Sequence, residues 1–392
     1  MAKLDIDGII RAIRSVIPDQ KEPVALHAPC LGGNEWVYLK DCLDSTWVSY
    51  LGQYVDKFEA MLADFTGAKK AVALVNGTAA LHSALKLVGV NPGDEVFVPV
   101  LTFIATANAV TYCGAMTHFV DSEERTLGLD PYKLKDYLKT IGQVNADGCM
   151  NKFTKRRIKA VIPMHVFGHP VDLDPLMEVC KEYKIEMIED AAESLGSYYK
   201  GKHTGNWGKL SILSFNGNKT ITTGGGGAII TNDENLAKMA KHLTSTAKIP
   251  HRWEYRHDYI GFNYRLPSIN AALGCAQMEQ LPKFLESKRI LADRYHQAFK
   301  EMEGVRFFKE PSFARSNYWL NTLLLDDAFS ERRDELLKKT NDIGIMTRPA
   351  WTLINELSMY KDCQAMDLSC AESLAGRLIN IPSSAFLVKT NA

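Results

Sequence analysis

Residues 71–88 read AVALVNGTAALHSALKLV, a short apolar run that turns through Asn76 and Gly77 into a helix-forming segment. The run 71–75 is apolar throughout, as in a strand that is buried on both faces of a sheet. After the glycine, apolar residues recur at helical spacing as far as Val88. A strand that passes directly into a helix is the repeating unit of α/β proteins, so this stretch predicts that fold class.

The same alternation continues towards the C-terminus. Apolar and β-branched runs predict strands at 95–99, 118–121, 158–164 and 185–189, and helical patterns follow at 102–112 and 175–183. Strands that alternate with helices at this spacing favour βαβ units. We therefore expect a largely parallel sheet with helices on both faces.

The pattern changes after Arg265. A long helix is predicted from Ser268 to about Met302, and mixed short strands and helices follow it. This change predicts two domains. The first, over 1–265, comprises an N-terminal extension and a large α/β domain, and the second, over 266–392, is a smaller C-terminal α+β domain.

Composition excludes several classes of protein. The 392 residues include 46 basic and 46 acidic side chains, and this balance argues against a nucleic-acid partner. The chain lacks an apolar run of about 18 residues, and the acidic start at Met1–Asp5 does not resemble a signal peptide. The eight cysteines are scattered without C-x-x-C pairs, which is typical of reduced thiols rather than of disulfides or a metal site. We expect a cytoplasmic protein without a membrane partner.

Lys219 stands in a loop of small residues between two predicted strands. Ser214 precedes it by five residues, and four glycines follow it at 224–227. A loop lysine is ordinarily a solvated charge, and that alternative stays open. However, the glycines allow close approach of the backbone, and Ser214 can reach the phosphate of a ligand whose aldehyde meets Lys219. A partly desolvated pocket of this kind makes a lysine amine nucleophilic.

Other candidate residues follow the ends of predicted strands. Asp190 lies at the carboxyl end of an apolar strand, where it would pair with a pyridinium nitrogen or, alternatively, cap a helix. Gly77 and Thr78 begin a helix whose free N–H groups suit a phosphate. Phe103 would stack on an aromatic cofactor or pack in the core. These residues predict a site at one edge of the sheet.

Together, these motifs resemble those of the DegT/DnrJ/EryC1/StrS family of sugar aminotransferases, within the fold-type I enzymes that use pyridoxal 5′-phosphate (PLP). The resemblance extends from about Leu26 to Pro382. It is carried by the runs 76–80 (NGTAA), 93–96 (GDEV), 102–106 (TFIAT), 189–193 (EDAAE), 214–219 (SFNGNK) and 261–266 (GFNYRL). It implies a large domain with a mostly parallel mixed sheet between layers of helices, and a smaller C-terminal domain.

The resemblance also implies a role for each site residue. Lys219 would hold PLP as an internal aldimine and would act in catalysis with Asp190, through the pyridoxamine phosphate form of the cofactor. Glu193 would lie near the ring hydroxyl. Asn263 would reach the phosphate of the neighbouring subunit, which implies a homodimer with shared active sites. The complete set implied to bind the cofactor is Gly77, Thr78, Phe103, Asp190, Glu193, Ser214, Lys219 and Asn263.

The implied reaction moves an amino group from L-glutamate to a nucleotide-linked keto sugar. The runs 26–35, 44–49 and 347–351 are similar to the subgroup that serves legionaminic acid synthesis, which implies a 4-keto-6-deoxy-N-acetylhexosamine and a role in surface glycan synthesis. Arg265, Arg348 and Trp47 are candidate substrate contacts, although each arginine has the alternative of a structural ion pair.

Three other interpretations stay open. The chain could act on another keto sugar, either 3-keto or GDP-linked. It could catalyse a dehydration, or aminate a cyclic ketone that is not a sugar. It could also be a regulator that binds PLP without turnover. The presence of Lys219 argues against the dehydratases of the family, in which histidine replaces the lysine.

Overall fold

The computed structural model describes residues 4–17 and 23–388. The prediction that the chain has no signal peptide rests in part on residues 1–3, which lie outside the described residues. The helices are α1 Ile6–Val16, α2 Glu35–Asp44, α3 Gln53–Thr66, α4 Gly77–Leu87, α5 Ile104–Tyr112, α6 Pro131–Ile141, α7 Leu173–Tyr183, α8 Glu234–Thr244, α9 Ser268–Phe299, α10 Arg333–Asp342 and α11 Ser369–Arg377.

The strands are short and lie mostly in the first two thirds of the chain. They are β1 Lys70–Leu74, β2 Glu95–Pro99, β3 Met116–Val120, β4 Gly142–Asn145, β5 Gly148–Asn151, β6 Arg157–Val161, β7 Glu186–Asp190, β8 Tyr198–Tyr199, β9 Lys202–His203, β10 Leu210–Ser214, β11 Gly227–Thr231, β12 Val305–Phe307, β13 Ala314–Arg315, β14 Asn321–Leu325, β15 Arg348–Pro349, β16 Gln364–Ala365 and β17 Leu378–Ile381.

The large sheet has ten strands, of which eight follow the order β1-β11-β10-β7-β6-β2-β3-β16. The pairs from β10 to β16 are parallel, whereas β11 is antiparallel to both of its neighbours. The predicted fold class, a mostly parallel mixed sheet of the fold-type I enzymes, is confirmed. The hairpin of β4 and β5 and the helices α1, α2, α3, α6 and α8 were not predicted from sequence.

Helices cover both faces of this sheet. Along β1, Val72 and Leu74 pack into the cluster formed with α4 and α8, whereas Ala71 and Ala73 pack into the cluster formed with α3 and α9. Successive side chains of a strand point to opposite faces, so an entirely apolar strand needs a cover on each side. The apolar run 71–75 is explained by this double burial.

Segments from the two sides of the domain boundary that we predicted at residue 265 pack against each other. Helix α1 contributes Ile9 and Ile13 to the same cluster as Leu323 and Ile379 of the small sheet, whose order is β12-β14-β17-β15. Strand β16, from the C-terminal third, extends the large sheet beside β3. The two-domain boundary itself stays a prediction.

Parallel strands bring their carboxyl ends to one edge of the sheet. Strand β7 ends at Asp190, the neighbouring β10 ends at Ser214, and the turn after β1 leads into α4 at Gly77. Ligands bind at this edge in open α/β sheets. In the ranges 4–17 and 23–388, none of the helices combines the length and apolar character needed to cross a bilayer.

Candidate active site

A cavity of about 320 Å³ lies at the carboxyl edge of the large sheet. The structure brings to its wall nearly all the residues that we predicted to bind a cofactor, although they come from separate stretches of the chain. The predicted residues in the lining are Gly77, Thr78, Phe103, Asp190, Glu193, Ser214 and Lys219. The remaining member of the set, Asn263, is not part of this lining.

Lys219 is paired with a carboxyl group inside the cavity. Its Nζ lies 3.0 Å from Oε1 of Glu193, and the two side chains are 13% and 1% exposed. The main-chain N–H of Phe167 donates to the other carboxyl oxygen of Glu193 at 3.0 Å. Burial raises the pKa of Glu193 to about 7, although the neighbouring Lys219 opposes this shift. The alternative of a solvated loop lysine is therefore excluded.

Asp190 is buried at the end of β7, and each of its carboxyl oxygens accepts one hydrogen bond. The hydroxyl of Thr106 donates to Oδ2 at 2.8 Å, and the N–H of Ala192 donates to Oδ1 at 3.2 Å. Burial raises the pKa of Asp190, with the hydrogen bond from Thr106 acting against it. In the described chain, the next α-helix after Asp190 begins only at Glu234. Asp190 is therefore not a helix cap, and its buried carboxyl group suits a cationic N–H donor.

The start of helix α4 lines another part of the cavity. Asn76 caps the helix, because its Oδ1 accepts the N–H of Ala79 at 2.8 Å. The N–H groups of Gly77 and Thr78 belong to the first turn, where the helix offers them no acceptor. Free N–H groups and the positive end of the helix dipole together suit an anion such as a phosphate.

Glycines allow the strands to approach this helix start closely. A Cβ atom on Gly77 would lie 3.2 Å from Cβ of Ser214, and a Cβ atom on Gly227 would lie 2.5 Å from the carbonyl carbon of Asn76. A side chain at either position would therefore crowd the cradle. The result is a concave surface of N–H groups and hydroxyls, in which Ser214 lies beside the helix terminus.

Phe103 lines the cavity while 50% of it remains exposed. Its ring centre lies 6.5 Å from that of Trp351, which also lines the cavity. The alternative of ordinary core packing does not apply to a side chain with this exposure. An aromatic ring beside a lysine amine, a buried carboxyl group and a phosphate cradle fits the chemical groups of PLP.

Trp319 and Thr106 are among the residues at this site that were assigned no role from the sequence. The ring centre of Trp319 lies 3.9 Å from Nζ of Lys219, and no local pattern could have indicated a contact between segments so distant in sequence. Thr106 lay within the quoted run 102–106 but was assigned no role. The spacing of four residues between Thr102 and Thr106 could have indicated that their hydroxyls lie together. In the structure these hydroxyls are 3.0 Å apart.

Four predicted residues lie outside the cavity of the single chain. Asn263 is exposed, and its Oδ1 accepts a hydrogen bond from the Arg265 guanidinium at 2.6 Å. That guanidinium lies 3.5 Å above the ring centre of Tyr50. Trp47 is exposed beside a separate groove, and Arg348 lies on the edge strand β15. The roles predicted for them stay predictions.

The family, sequence and structure comparisons with known proteins all indicate the same family of enzymes. A model of the DegT/DnrJ/EryC1/StrS aminotransferase family matches residues 29–391. A GDP-perosamine synthase of Caulobacter vibrioides is 38% identical over 94% of this chain and 95% of its own. A GDP-perosamine synthase of Escherichia coli O157:H7 is 39% identical over 92% and 93% of the two chains. The solved aminotransferase TlmJ of Streptoalloteichus hindustanus has a TM-score of 0.82 at 27% identity, covering 92% of this chain and 93% of that one.

Proposed function

Because the chain belongs to the DegT/DnrJ/EryC1/StrS aminotransferase family, and is therefore a PLP-dependent sugar aminotransferase, we propose a specific transamination for it. L-Glutamate gives its amino group to the 4-keto carbon of a nucleotide-linked 4-keto-6-deoxyhexose. The product is a 4-amino sugar for surface glycan synthesis. The observation that carries the proposal is the meeting of Lys219, Asp190 and the phosphate cradle in one cavity.

PLP, when bound, supplies an aldehyde that condenses with amines and a ring that accepts electrons from the carbon that loses its proton. We assign the covalent link to Lys219 and the contact with the ring nitrogen to Asp190. Phe103 would stack on the ring, and Glu193 would lie beside the ring hydroxyl. Gly77, Thr78 and Ser214 would hold the phosphate.

Lys219 needs two protonation states in this reaction. As a nucleophile it must be a free amine, and as a proton donor it must be an ammonium. Glu193 is the neighbouring group that can take up or release a proton near neutral pH. Its carboxyl oxygen lies 3.0 Å from Nζ, and burial raises its pKa to about 7. With the cofactor bound, Nζ would take the proton from the donor carbon that bears nitrogen, and in the reverse half of the cycle it would deliver a proton to the sugar carbon that receives the amine.

Asp190 contributes through its charge. A buried carboxylate beside the ring nitrogen keeps a proton on that nitrogen, and the positive charge favours movement of electrons into the ring. Thr106 and Ala192 hold the carboxylate with hydrogen bonds of 2.8 and 3.2 Å. These two bonds fix its orientation before the substrate arrives.

Two sugars are candidates for the acceptor. The subgroup resemblance favours a 4-keto-6-deoxy-N-acetylhexosamine of legionaminic acid synthesis. The GDP-perosamine synthases, at 38% and 39% identity over more than nine tenths of the chain, support a GDP-linked sugar as the second candidate. The first candidate is defined by its acetamido group and the second by its GDP carrier, so a comparison of substrates that vary in both features separates them.

The decisive experiment converts the enzyme to its pyridoxamine form with L-glutamate. UDP-, GDP- and dTDP-linked 4-keto-6-deoxy sugars, with and without an N-acetyl group, are then added one at a time. Loss of the pyridoxamine absorbance, with formation of the amino sugar, identifies the acceptor. A 3-keto sugar and a cyclic ketone are the comparison substrates, and Lys219→Ala is the inactive control. Failure of glutamate to change the spectrum would indicate a regulator, and reaction with the comparison substrates alone would contradict 4-amination.

We also propose a homodimer in which each site is shared. Large exposed apolar side chains support it, because such patches commonly mark interfaces. One group lies on α2 and the turn after it, and a second precedes Asn263. The two groups are Trp36, Leu43, Trp47 and Leu51, and Trp253, Tyr255, Tyr259 and Ile260. Asn263, exposed and outside the cavity of its own chain, would serve the partner's phosphate cradle.

A further inference from the structure

Lys288, in helix α9, is completely buried. Its three hydrogen-bond partners in the described chain are neutral acceptors, so no carboxylate compensates an ammonium there. Burial lowers the pKa of Lys288 to about 7. A buried amine with this environment opposes folding, whereas methionine would fill the same space without the desolvation cost. The reaction described above does not use this lysine.

The three contacts of Lys288 join separate parts of the chain. Its Nζ lies 2.9 Å from Nε2 of His27, and it donates to the main-chain oxygens of Trp319 at 3.2 Å and Ser383 at 2.7 Å. Burial keeps the pKa of His27 well below its usual range, so its ring is an uncharged acceptor. Three acceptors match the three N–H groups of an ammonium. Lys288 therefore ties the segment before α2 to the segments before β14 and after β17.

The contact with Trp319 leads to the active site. The indole ring centre lies 3.9 Å from Nζ of Lys219, and the indole N–H donates to the main-chain oxygen of Asn218 at 2.7 Å. Trp319 thus touches the lysine and the residue just before it. Its main-chain oxygen, on the other side, is held by Lys288.

The backbone beside Trp319 is strained. Tyr318 has a φ of 47°, in the left-handed region that bulky residues rarely adopt. Such a conformation persists only where its surroundings hold it. The N–H of Trp319 donates to Oδ1 of Asn317 at 2.8 Å, and its oxygen accepts from Lys288. Loss of the amine would remove the bond to the main-chain oxygen of Trp319, while the N–H bonds of Asn317, Tyr318 and Trp319 would remain.

We propose that Lys288 is a positioning residue for Lys219, because its hydrogen bond to Trp319 fixes the indole ring against the lysine amine. The amine is thereby held where it meets the aldehyde of the cofactor. The inference rests on the proposed role of Lys219 as the cofactor-linking residue. Its test therefore has to report separately on which lysine reacts and on how fast it reacts.

The test measures capture of PLP by the full-length apo protein. PLP and cyanoborohydride are added, and the pyridoxyl group on each lysine peptide is followed by mass spectrometry. In the wild-type protein Lys219 is expected to be labelled faster than any other lysine. In Lys288→Met the same peptide is expected to be labelled about tenfold more slowly, because the amine is less well placed. Faster labelling of another lysine than of Lys219 in the wild-type protein would refute the proposed site, whereas an unchanged rate at Lys219 in Lys288→Met would refute the positioning role alone.

A matched control separates positioning from general loss of stability. Leu291→Ala removes a fully buried side chain from the same helix, in the cluster with α1 and the small sheet. It should lower the melting temperature and leave the capture rate at Lys219 unchanged. Equal slowing in Leu291→Ala and Lys288→Met, at equal loss of stability, would overturn the proposal.

Trp319→Leu tests the route through the indole ring. It removes the ring beside Lys219 and leaves the main-chain oxygen that Lys288 contacts. We expect slowing similar to that of Lys288→Met, and a double variant no slower than the slower single one, because both act on one element. Independent, multiplying effects would overturn the proposal. If Lys288→Met fails to fold, Trp319→Leu decides alone, since an unchanged capture rate there would also refute it.

Discussion

The amine of Lys219 and the carboxyl of Glu193 form a hydrogen-bonded pair in which the acid is the more deeply buried partner. Their atoms Nζ and Oε1 lie 3.0 Å apart. Desolvation favours the neutral acid, whereas the neighbouring amine favours the carboxylate. Desolvation is the larger effect, so the pKa of Glu193 is raised to about 7. The carboxyl group of Glu193 therefore gains or loses its proton near neutral pH, so the charge that faces the amine of Lys219 changes in that range.

The first prediction concerns Glu193→Gln and the stability of the apo protein. The pKa of Glu193 rises from 4.5 to about 7 on folding, so the folded protein binds more protons between these values. The stabilisation that comes from proton binding to Glu193 is fully present below pH 4.5 and is lost as the pH rises through 7. Glutamine does not titrate, so from pH 5 to pH 8 the variant should gain about 1–3 kcal/mol relative to the wild type. Urea unfolding at both pH values measures this difference, with the surface variant Glu372→Gln as control. A difference that does not change with pH would contradict the prediction.

The second prediction is that Lys219 forms the covalent link to PLP. Borohydride reduction of the holoenzyme should leave one pyridoxyl group, on the peptide that contains Lys219. Lys288, the other buried amine near Trp319, provides an internal control and should stay unmodified. Lys219→Arg keeps a positive charge beside Glu193 but should take no label. A pyridoxyl group on any other lysine would disprove the assignment.

The third prediction compares Asp190→Asn with Thr106→Val. Both variants should retain PLP, because the phosphate cradle and Phe103 are intact. Asp190→Asn should lose about 10³-fold or more in kcat, since the charge at the ring nitrogen is lost. Thr106→Val removes only the 2.8 Å hydrogen bond to Oδ2, and should lose about five- to tenfold, the effect of one hydrogen bond. Stopped-flow measurement of the glutamate half-reaction tests both, and near-native turnover in Asp190→Asn would exclude the proposed role.

The fourth prediction concerns sharing of the active sites across the dimer. Lys219→Ala and Asn263→Ala should each be weakly active or inactive alone. After the two are refolded together, half of the dimers are mixed, and each mixed dimer has one site with both lesions and one with neither. Activity should recover to about a quarter of the wild-type value. If subunit exchange is demonstrated and no activity returns, Asn263 does not serve the partner's site.

Local sequence was sufficient to locate the strands and the residues that follow them. An apolar run that ends in a glycine or a polar residue predicts both a buried strand and its carboxyl end, so Gly77 and Asp190 could be assigned to one edge of the sheet. The helix predicted over 102–112 begins two residues later, at Ile104, because Phe103 has an extended backbone. Such boundaries depend on cap geometry that composition does not specify.

Contacts between distant segments were beyond the reach of sequence patterns. The pairing of Lys219 with Glu193, the ring of Trp319 beside that amine, and the burial of Lys288 all depend on which segments meet in the folded chain. A pattern in the sequence records the environment of a residue along its own strand or helix, and it contains no partner from elsewhere. The shift in the pKa of Glu193 is of the same kind, since desolvation arises only when the surrounding elements close over the carboxyl group. The chemical groups of the site could thus be read from the chain, whereas their protonation and positioning depend on its three-dimensional packing.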